Sequence, residues 1–229
     1  MYIFYALAFE KIPNSSLLAT IFIGTLFTYS FLLYKRLKQS YFLAVIIICL
    51  FLFPKLLPML KLEQTIAFGS MFLITILYNV PFIEKRQLRE IPYLKPFIIA
   101  SIWAYIGAGF LKLAPIIMLE AFFYIFPLAM LFDYRDQDID RGHGLITFAT
   151  RFSSRTFKSI TICTFLIHVT LEAYLLKSWV FTSIQLTLFF IVIAILKKER
   201  SREFYTLGVD GLILGRPFIF IFLQQAGLL

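Results

Sequence analysis

The sequence predicts an all-α membrane protein, a polytopic helical bundle of about nine transmembrane helices. Of its 229 residues, 60% are hydrophobic and only 15% are charged, and the mean hydropathy is +0.85. Soluble domains carry about 45–50% apolar residues and about 25% charged residues, so this chain is too apolar for that class. We expect a single transmembrane domain that extends from residue 1 to residue 229.

Eight apolar runs approach the length of about 20 residues that a membrane-spanning helix needs. In chain order they are Ser15–Tyr34, Tyr41–Leu60, Thr65–Ile83, Phe97–Ala114, Pro115–Phe132, Phe157–Leu176, Trp179–Leu196 and Thr206–Ala226. The segment Met1–Phe9 is apolar but short, and it is either the end of a first helix or an interfacial segment. Pro54 and Pro58 predict a kink near the end of their run, because proline removes a helical hydrogen bond.

The distribution of positive charge predicts how the chain lies in the membrane. Of the 22 Lys and Arg residues, 16 lie in four alternate loops, 35–40, 84–96, 133–158 and 197–205. Cytoplasmic loops carry an excess of Lys and Arg. We therefore expect an integral protein of the bacterial inner membrane with these four loops in the cytoplasm. This distribution also accounts for the net charge of +9, and we expect no nucleic-acid partner.

The segment 133–151 contains the one dense group of carboxylates in the sequence. These are Asp133, Asp136, Asp138 and Asp140. If the preceding helix continues, spacings of three, four and seven place Asp133, Asp136 and Asp140 on one face. A divalent cation would remove their repulsion, and Mg²⁺ takes one or two carboxylates together with water and phosphate oxygens. The segment therefore predicts a Mg²⁺ site, and the alternative is a solvated acidic loop.

Polar and basic side chains near the cytoplasmic ends of the predicted spans are candidate substrate ligands. They are Lys35, Arg36, Tyr78, Asn79, Lys85, Arg86, Arg141 and Arg151. Lys and Arg can neutralise phosphate oxygens that a metal ion does not reach. The alternative is that these residues anchor the protein at the membrane surface, as positive loops and aromatic belts do.

Several ionisable side chains lie inside the predicted spans. Those considered for a role are Glu120, His168, Glu172, Asp210 and Arg216. Charged groups are costly in lipid, so we expect them to face the interior of the bundle. We expect structural hydrogen bonds for the first three. A direct pair between Asp210 and Arg216 is not expected, because residues six apart do not share a helical face.

The acidic segment resembles the UbiA superfamily of intramembrane prenyltransferases. The second aspartate-rich motif of that family reads approximately D-x-x-D-x-x-x-D-x-x-x-G-x-x-T. The matching residues here are Asp133, Asp136, Asp140, Gly144 and Thr147, with Arg151 shortly after. The family's tyrosine-and-basic stretch is similar to Tyr78, Pro81, Lys85 and Arg86. The family has nine helices, with the acidic motif on the cytoplasmic side, which fits the predicted order of spans.

The resemblance implies Mg²⁺-dependent transfer of a polyprenyl group from a prenyl diphosphate to an aromatic or other lipid-soluble acceptor in the membrane. It implies Asp136 and Asp140 as principal Mg²⁺ ligands, with Asp133 assisting. Lys85 and Arg86 would neutralise the diphosphate, Lys85 in a catalytic role, and Tyr78 would orient the substrate.

The chain departs from the family in one motif. UbiA enzymes carry a first motif, N/D-x-x-x-D, between the second and third spans, whereas Ser15–Leu62 contains no Asp, Glu or Asn. One explanation is that Lys35 and Arg36 contact the diphosphate in place of a first metal ion. The other is that the protein is a catalytically inactive membrane scaffold or isoprenoid-binding protein.

Overall fold

A computed structural model describes residues 1–32, 39–79, 87–196 and 202–229, and every regular element in these ranges is helical. The α-helices are α1 (Tyr2–Ala8), α2 (Ser15–Leu32), α3 (Gln39–Leu56), α4 (Leu62–Asn79), α5 (Leu94–Ala104), α6 (Pro115–Arg135), α7 (Gln137–Gly142), α8 (Phe148–Arg151), α9 (Ser154–Leu176), α10 (Trp179–Ile195), α11 (Arg202–Tyr205) and α12 (Gly211–Gln225). Short 3₁₀ turns occupy Leu57–Met59 and Leu88–Glu90, and π-helical turns occupy Tyr105–Gly109 and Thr206–Asp210. The predicted all-α class is confirmed for this part of the chain.

Within the described ranges, three helical segments are long and apolar enough to cross a membrane, namely Pro115–Arg135, Ser154–Leu176 and Glu203–Gln225. Shorter apolar helical segments are Ser15–Thr28, Leu43–Met59, Leu62–Tyr78, Leu94–Gly109 and Trp179–Ile195. These helices are consistent with a membrane protein. The count of about nine transmembrane helices stays a prediction.

The chain divides into two compact units, one made of Met1–Lys11 with Arg89–Leu229 and the other of Ile12–Leu88. The single domain expected for residues 1–229 stays a prediction. In the smaller unit, α2 packs against α3 and α4. The rings of Phe27 and Phe72 lie 5.6 Å apart between α2 and α4.

Helix α6 is the centre of the larger unit, where it packs against α5 and α9. It begins with Pro115 at its first turn, a position that suits proline because no intrahelical partner awaits its missing N–H. Along the rest of α6, buried residues occur on all sides of the helix, including Tyr124, Phe126, Leu128 and Met130. A helix that is apolar all round belongs in a protein interior or a membrane. The sequence of α6 therefore dictates its central position.

Helix α9 shows how local polar groups set a boundary that hydropathy misses. The predicted span Phe157–Leu176 begins three residues too late, because the helix starts at Ser154. The Ser153 hydroxyl accepts a hydrogen bond from the Thr156 backbone N–H at 3.2 Å. Such a cap satisfies a first-turn amide, so the helix can begin within a polar stretch.

Candidate functional site

The acidic segment follows α6 with a one-residue interruption. Helix α6 ends at Arg135, and Asp136 has φ −88° and ψ 7° before α7 begins at Gln137. Hydrogen bonding nevertheless continues, since the Asp136 N–H donates to Phe132 O at 3.0 Å and the Asp140 N–H donates to Asp136 O at 2.9 Å. The continuous helix that the shared face of the three aspartates assumes is therefore interrupted at Asp136.

Lys95 brings two of the predicted carboxylates together. Its Nζ lies 2.5 Å from Asp133 Oδ1 and 3.6 Å from Asp140 Oδ2. Both aspartates are buried, and Asp133 is only 1% exposed. The spacing of seven thus keeps Asp133 and Asp140 on one side, as the sequence predicted for this pair. From the sequence alone, Lys95 had no predicted role beyond loop charge, because only tertiary packing brings α5 to the end of α6.

Asp136 has a different partner from the other two aspartates. Arg135 donates two hydrogen bonds to it, from Nε to Oδ1 at 2.8 Å and from a terminal guanidinium nitrogen to Oδ2 at 2.8 Å. This bidentate contact occupies both oxygens of the carboxylate. Within the described part of the chain, Lys95 thus contacts Asp133 and Asp140, and the Asp138 side chain is exposed.

The carboxylates around Lys95 retain acceptor capacity that the described part of the chain does not fill. Asp133 Oδ2 is buried and accepts no hydrogen bond from those residues, and neither does Asp140 Oδ2. Burial raises the pKa of the Asp140 carboxyl, the Lys95 charge opposes this rise, and the neighbouring Asp136 charge adds to it. Two buried carboxylates with unfilled oxygen lone pairs fit the ligands that Mg²⁺ takes from proteins.

The loop after α7 holds the carboxylates in place. Gly144 has φ +69°, which glycine adopts without the steric cost of a side chain. The Leu145 N–H donates to Asp140 O at 2.8 Å, and the Tyr93 N–H donates to Ile146 O at 3.1 Å, so the loop is tied both to α7 and to the start of α5.

Thr147 caps helix α8. Its hydroxyl accepts from the Thr150 N–H at 3.2 Å, and the Thr150 hydroxyl accepts from the Thr147 N–H at 2.8 Å. The Gln137 side chain also donates to Ala149 O and links α7 to α8. Gly144 and Thr147 of the acidic motif therefore have structural roles here, as a residue with positive φ and as a helix cap.

The remaining predicted substrate ligands are distributed over several places. Arg141 and Arg151 are exposed in α7 and α8. In the smaller unit, Tyr78 is half-buried near the end of α4, and Asn79 is the last residue of that helix. Lys35, Arg36, Pro81, Lys85 and Arg86 lie outside the described residues. Their roles stay predictions.

A second polar cluster lies buried in the larger unit. Arg216 is 0% exposed, and one terminal guanidinium nitrogen lies 2.5 Å from Glu120 Oε1 and 2.7 Å from Glu172 Oε1. His168 lies between the same carboxylates, with Nδ1 2.8 Å from Glu120 Oε1 and Nε2 3.7 Å from Glu172 Oε1. Tyr5 donates to Glu120 Oε2 at 2.5 Å and accepts from Arg216 at 3.1 Å.

This cluster places Arg216 against glutamates from α6 and α9. In the sequence analysis these residues were considered one by one, because the i,i+4 spacing of His168 and Glu172 is the one pattern among them that predicts a contact. Glu120, His168 and Glu172 could each offer a ligand atom to a metal ion, with these atoms within 4.8 Å of one another. The Arg216 guanidinium, however, already bridges the two carboxylates.

Comparison of the chain with protein-family models, with curated proteins and with solved structures finds no match. The similarity to UbiA prenyltransferases therefore rests on the motif residues.

Proposed function

We propose that the protein is a Mg²⁺-dependent intramembrane prenyltransferase with a UbiA-like bundle of about nine helices. It would transfer a polyprenyl group from a prenyl diphosphate to an aromatic or other lipid-soluble acceptor. The observation that carries this proposal is the buried pair of carboxylates, Asp133 and Asp140, at the end of an apolar helix. Charged groups at such positions are more often functional than decorative.

Asp133 and Asp140 would hold the Mg²⁺ ion through the oxygens that accept no hydrogen bond within the described part of the chain. Mg²⁺ would supply charge stabilisation of the diphosphate as the allylic C–O bond breaks. Asp136, which the resemblance implies as a principal ligand, is engaged by Arg135. The geometry therefore favours Asp133 over Asp136 as the partner of Asp140.

Lys95 gives the site a resident positive charge. Its Nζ already contacts both carboxylates, and an ammonium beside the metal site can donate to a diphosphate oxygen. The apolar helices would hold the isoprenoid chain and exclude water from the electron-poor allylic carbon. Membrane lipids would surround the helices, and the acidic segment would face the cytoplasm at a bacterial inner membrane.

Binding of farnesyl diphosphate to the detergent-purified protein tests this proposal. The variants Asp133→Asn and Asp140→Asn each remove a carboxylate from the pair, whereas Asp138→Asn makes the same chemical change at an exposed position. We expect the first two variants to weaken Mg²⁺-dependent binding by at least about tenfold, equivalent to about 1.4 kcal/mol. Binding indifferent to both substitutions and to removal of Mg²⁺ would overturn the proposal.

A catalytically inactive isoprenoid-binding scaffold is the second candidate. The contact between Lys95 and Asp133 favours it, because a cation already neutralises the carboxylate that Mg²⁺ would use. The missing first aspartate motif agrees with this alternative. A scaffold that recognises only the isoprenoid chain should bind farnesol as tightly as farnesyl diphosphate, whereas the proposed enzyme should bind farnesol much more weakly.

A further inference from the structure

The cluster of Glu120, His168, Glu172 and Arg216 carries an imbalance of charge. All four side chains are at most 2% exposed. Two ionised glutamates and one guanidinium leave a net charge of −1 when the imidazole is neutral. An unbalanced charge in a low-dielectric interior costs several kcal/mol, so buried charges are paired.

The other polar groups around the cluster do not supply the missing positive charge. Tyr5 and Tyr124 contribute neutral hydroxyls, and the Tyr124 hydroxyl donates to Leu212 O at 2.7 Å.

The space beside the carboxylates also limits what else could balance the charge. It is lined by Phe4, Tyr5, Glu120, Glu172 and Arg216, among others, and it is too small for a water molecule. A hydrated metal ion has no room there, and a bare ion would have to displace Arg216 from between the carboxylates. A proton is the one positive ligand that the geometry admits without rearrangement.

The orientation of His168 indicates where this proton resides. Its Nδ1 lies 2.8 Å from Glu120 Oε1 and its Nε2 lies 3.7 Å from Glu172 Oε1, so each ring nitrogen is within ion-pair distance of a carboxylate, although neither contact has hydrogen-bond geometry. A neutral imidazole has only one N–H and leaves a nitrogen lone pair on the side of one carboxylate. An imidazolium instead forms an ion pair on both sides.

We propose that this cluster is an intramembrane proton-binding site, in which His168 holds a proton between Glu120 and Glu172 at neutral pH. The protonated cluster contains two positive and two negative groups and is electrically neutral. It joins α6, α9 and α12, and Tyr5 adds α1 through its contacts with Glu120 and Arg216. The packing of these four helices thereby depends on one bound proton, independently of the proposed prenyl transfer.

Nitrogen NMR of the full-length protein labelled with ¹⁵N-histidine tests this inference directly. The chain contains two histidines, so His143→Gln leaves His168 as the source of the imidazole signals. At neutral pH we expect both ring nitrogens of His168 to carry protons. A spectrum with one protonated and one bare nitrogen would overturn the inference and assign any balancing proton to a carboxyl group.

The additional substitution Glu172→Gln tests the charge argument. It removes one carboxylate with little change of shape, so Glu120 and Arg216 balance each other without a proton on the imidazole. We expect His168 to become neutral in this variant at the same pH. An imidazolium that persists there would contradict the charge argument. If the variant does not fold, the spectrum of the His143→Gln protein still decides the protonation state.

Discussion

Replacing Lys95 with Gln should destabilise the larger unit, and the effect should depend on pH. Lys95 Nζ lies 2.5 Å from a carboxylate oxygen of Asp133, which is 1% exposed. Removing one partner of a buried ion pair costs about 3–5 kcal/mol when the other charge stays ionised. The aspartate can instead take up a proton, and this limits the loss.

The largest possible loss of stability depends on pH, because it equals the cost of protonating the aspartate. Protonating an ordinary aspartic acid, with a pKa of about 3.9, costs about 4 kcal/mol at pH 7 and about 1.5 kcal/mol at pH 5. The carboxylate is already desolvated in the native protein, so part of its attraction to Lys95 is offset before the substitution. We therefore expect the free energy of unfolding to fall by about 2 kcal/mol at pH 7. This value lies between the effect of an ordinary surface substitution and the cost of protonating the aspartate at that pH. At pH 5 the loss should be smaller.

The assay is the free energy of unfolding in detergent, followed by circular dichroism during chemical denaturation in Mg²⁺-free buffer. Lys11→Gln is the matched control, because it removes the same charge from an exposed position of the same unit. The double variant Lys95→Gln/Asp133→Asn should recover most of the loss, because it leaves no unpaired charge at Asp133. A loss below about 0.5 kcal/mol at pH 7, the range of ordinary surface substitutions, would refute the reasoning.

Three further predictions concern the acidic segment and its loop. Gly144→Ala should lower stability by about 1 kcal/mol, because a side chain is strained at the φ of +69° that this residue adopts. The control Gly142→Ala has open space around its Cα and should be neutral or stabilising. Thermal unfolding of both variants checks this. Thr147→Ala should lower stability by about 1 kcal/mol through loss of the cap, and Thr147→Ser should restore it; equal melting temperatures for the two would count against the capping role. The raised pKa of the Asp140 carboxyl means that its contribution is most favourable when protonated and is lost as pH rises through the folded-state pKa. Asp140→Asn should therefore stabilise the Mg²⁺-free protein at neutral pH, with the gain disappearing under acidic conditions; unfolding curves that show a loss at neutral pH would contradict this.

The sequence predicted those features that depend on composition and local spacing. Apolar runs identified most helices, and the spacing of seven correctly placed Asp133 and Asp140 on one side. The contact of Asp136 with the adjacent Arg135 could not be foreseen, because hydrophobic periodicity contains no information about such a pair. The role predicted for Asp136 as a metal ligand stays a prediction. The structure adds a side-chain environment that the motif pattern alone does not show.

Contacts between distant segments could not be read from the sequence. Lys95 resembled any other basic loop residue until α5 was placed beside the end of α6. The buried cluster draws its side chains from α1, α6, α9 and α12, and each glutamate looked like an isolated polar group in an apolar span. The rule that intramembrane charges find partners predicted that such contacts exist, but it did not identify which residues make them.

Electron paramagnetic resonance of Mn²⁺, used as a stand-in for Mg²⁺, tests the proposed metal site most directly. The purified protein would be titrated with Mn²⁺ in the presence of farnesyl diphosphate, next to Asp133→Asn/Asp140→Asn and the control Asp138→Asn. We expect protein-bound Mn²⁺ in the wild type and the control, with the bound signal lost in the double variant. An unchanged bound signal in the double variant, or no bound Mn²⁺ in the wild type, would contradict the assignment of Asp133 and Asp140 as the metal site.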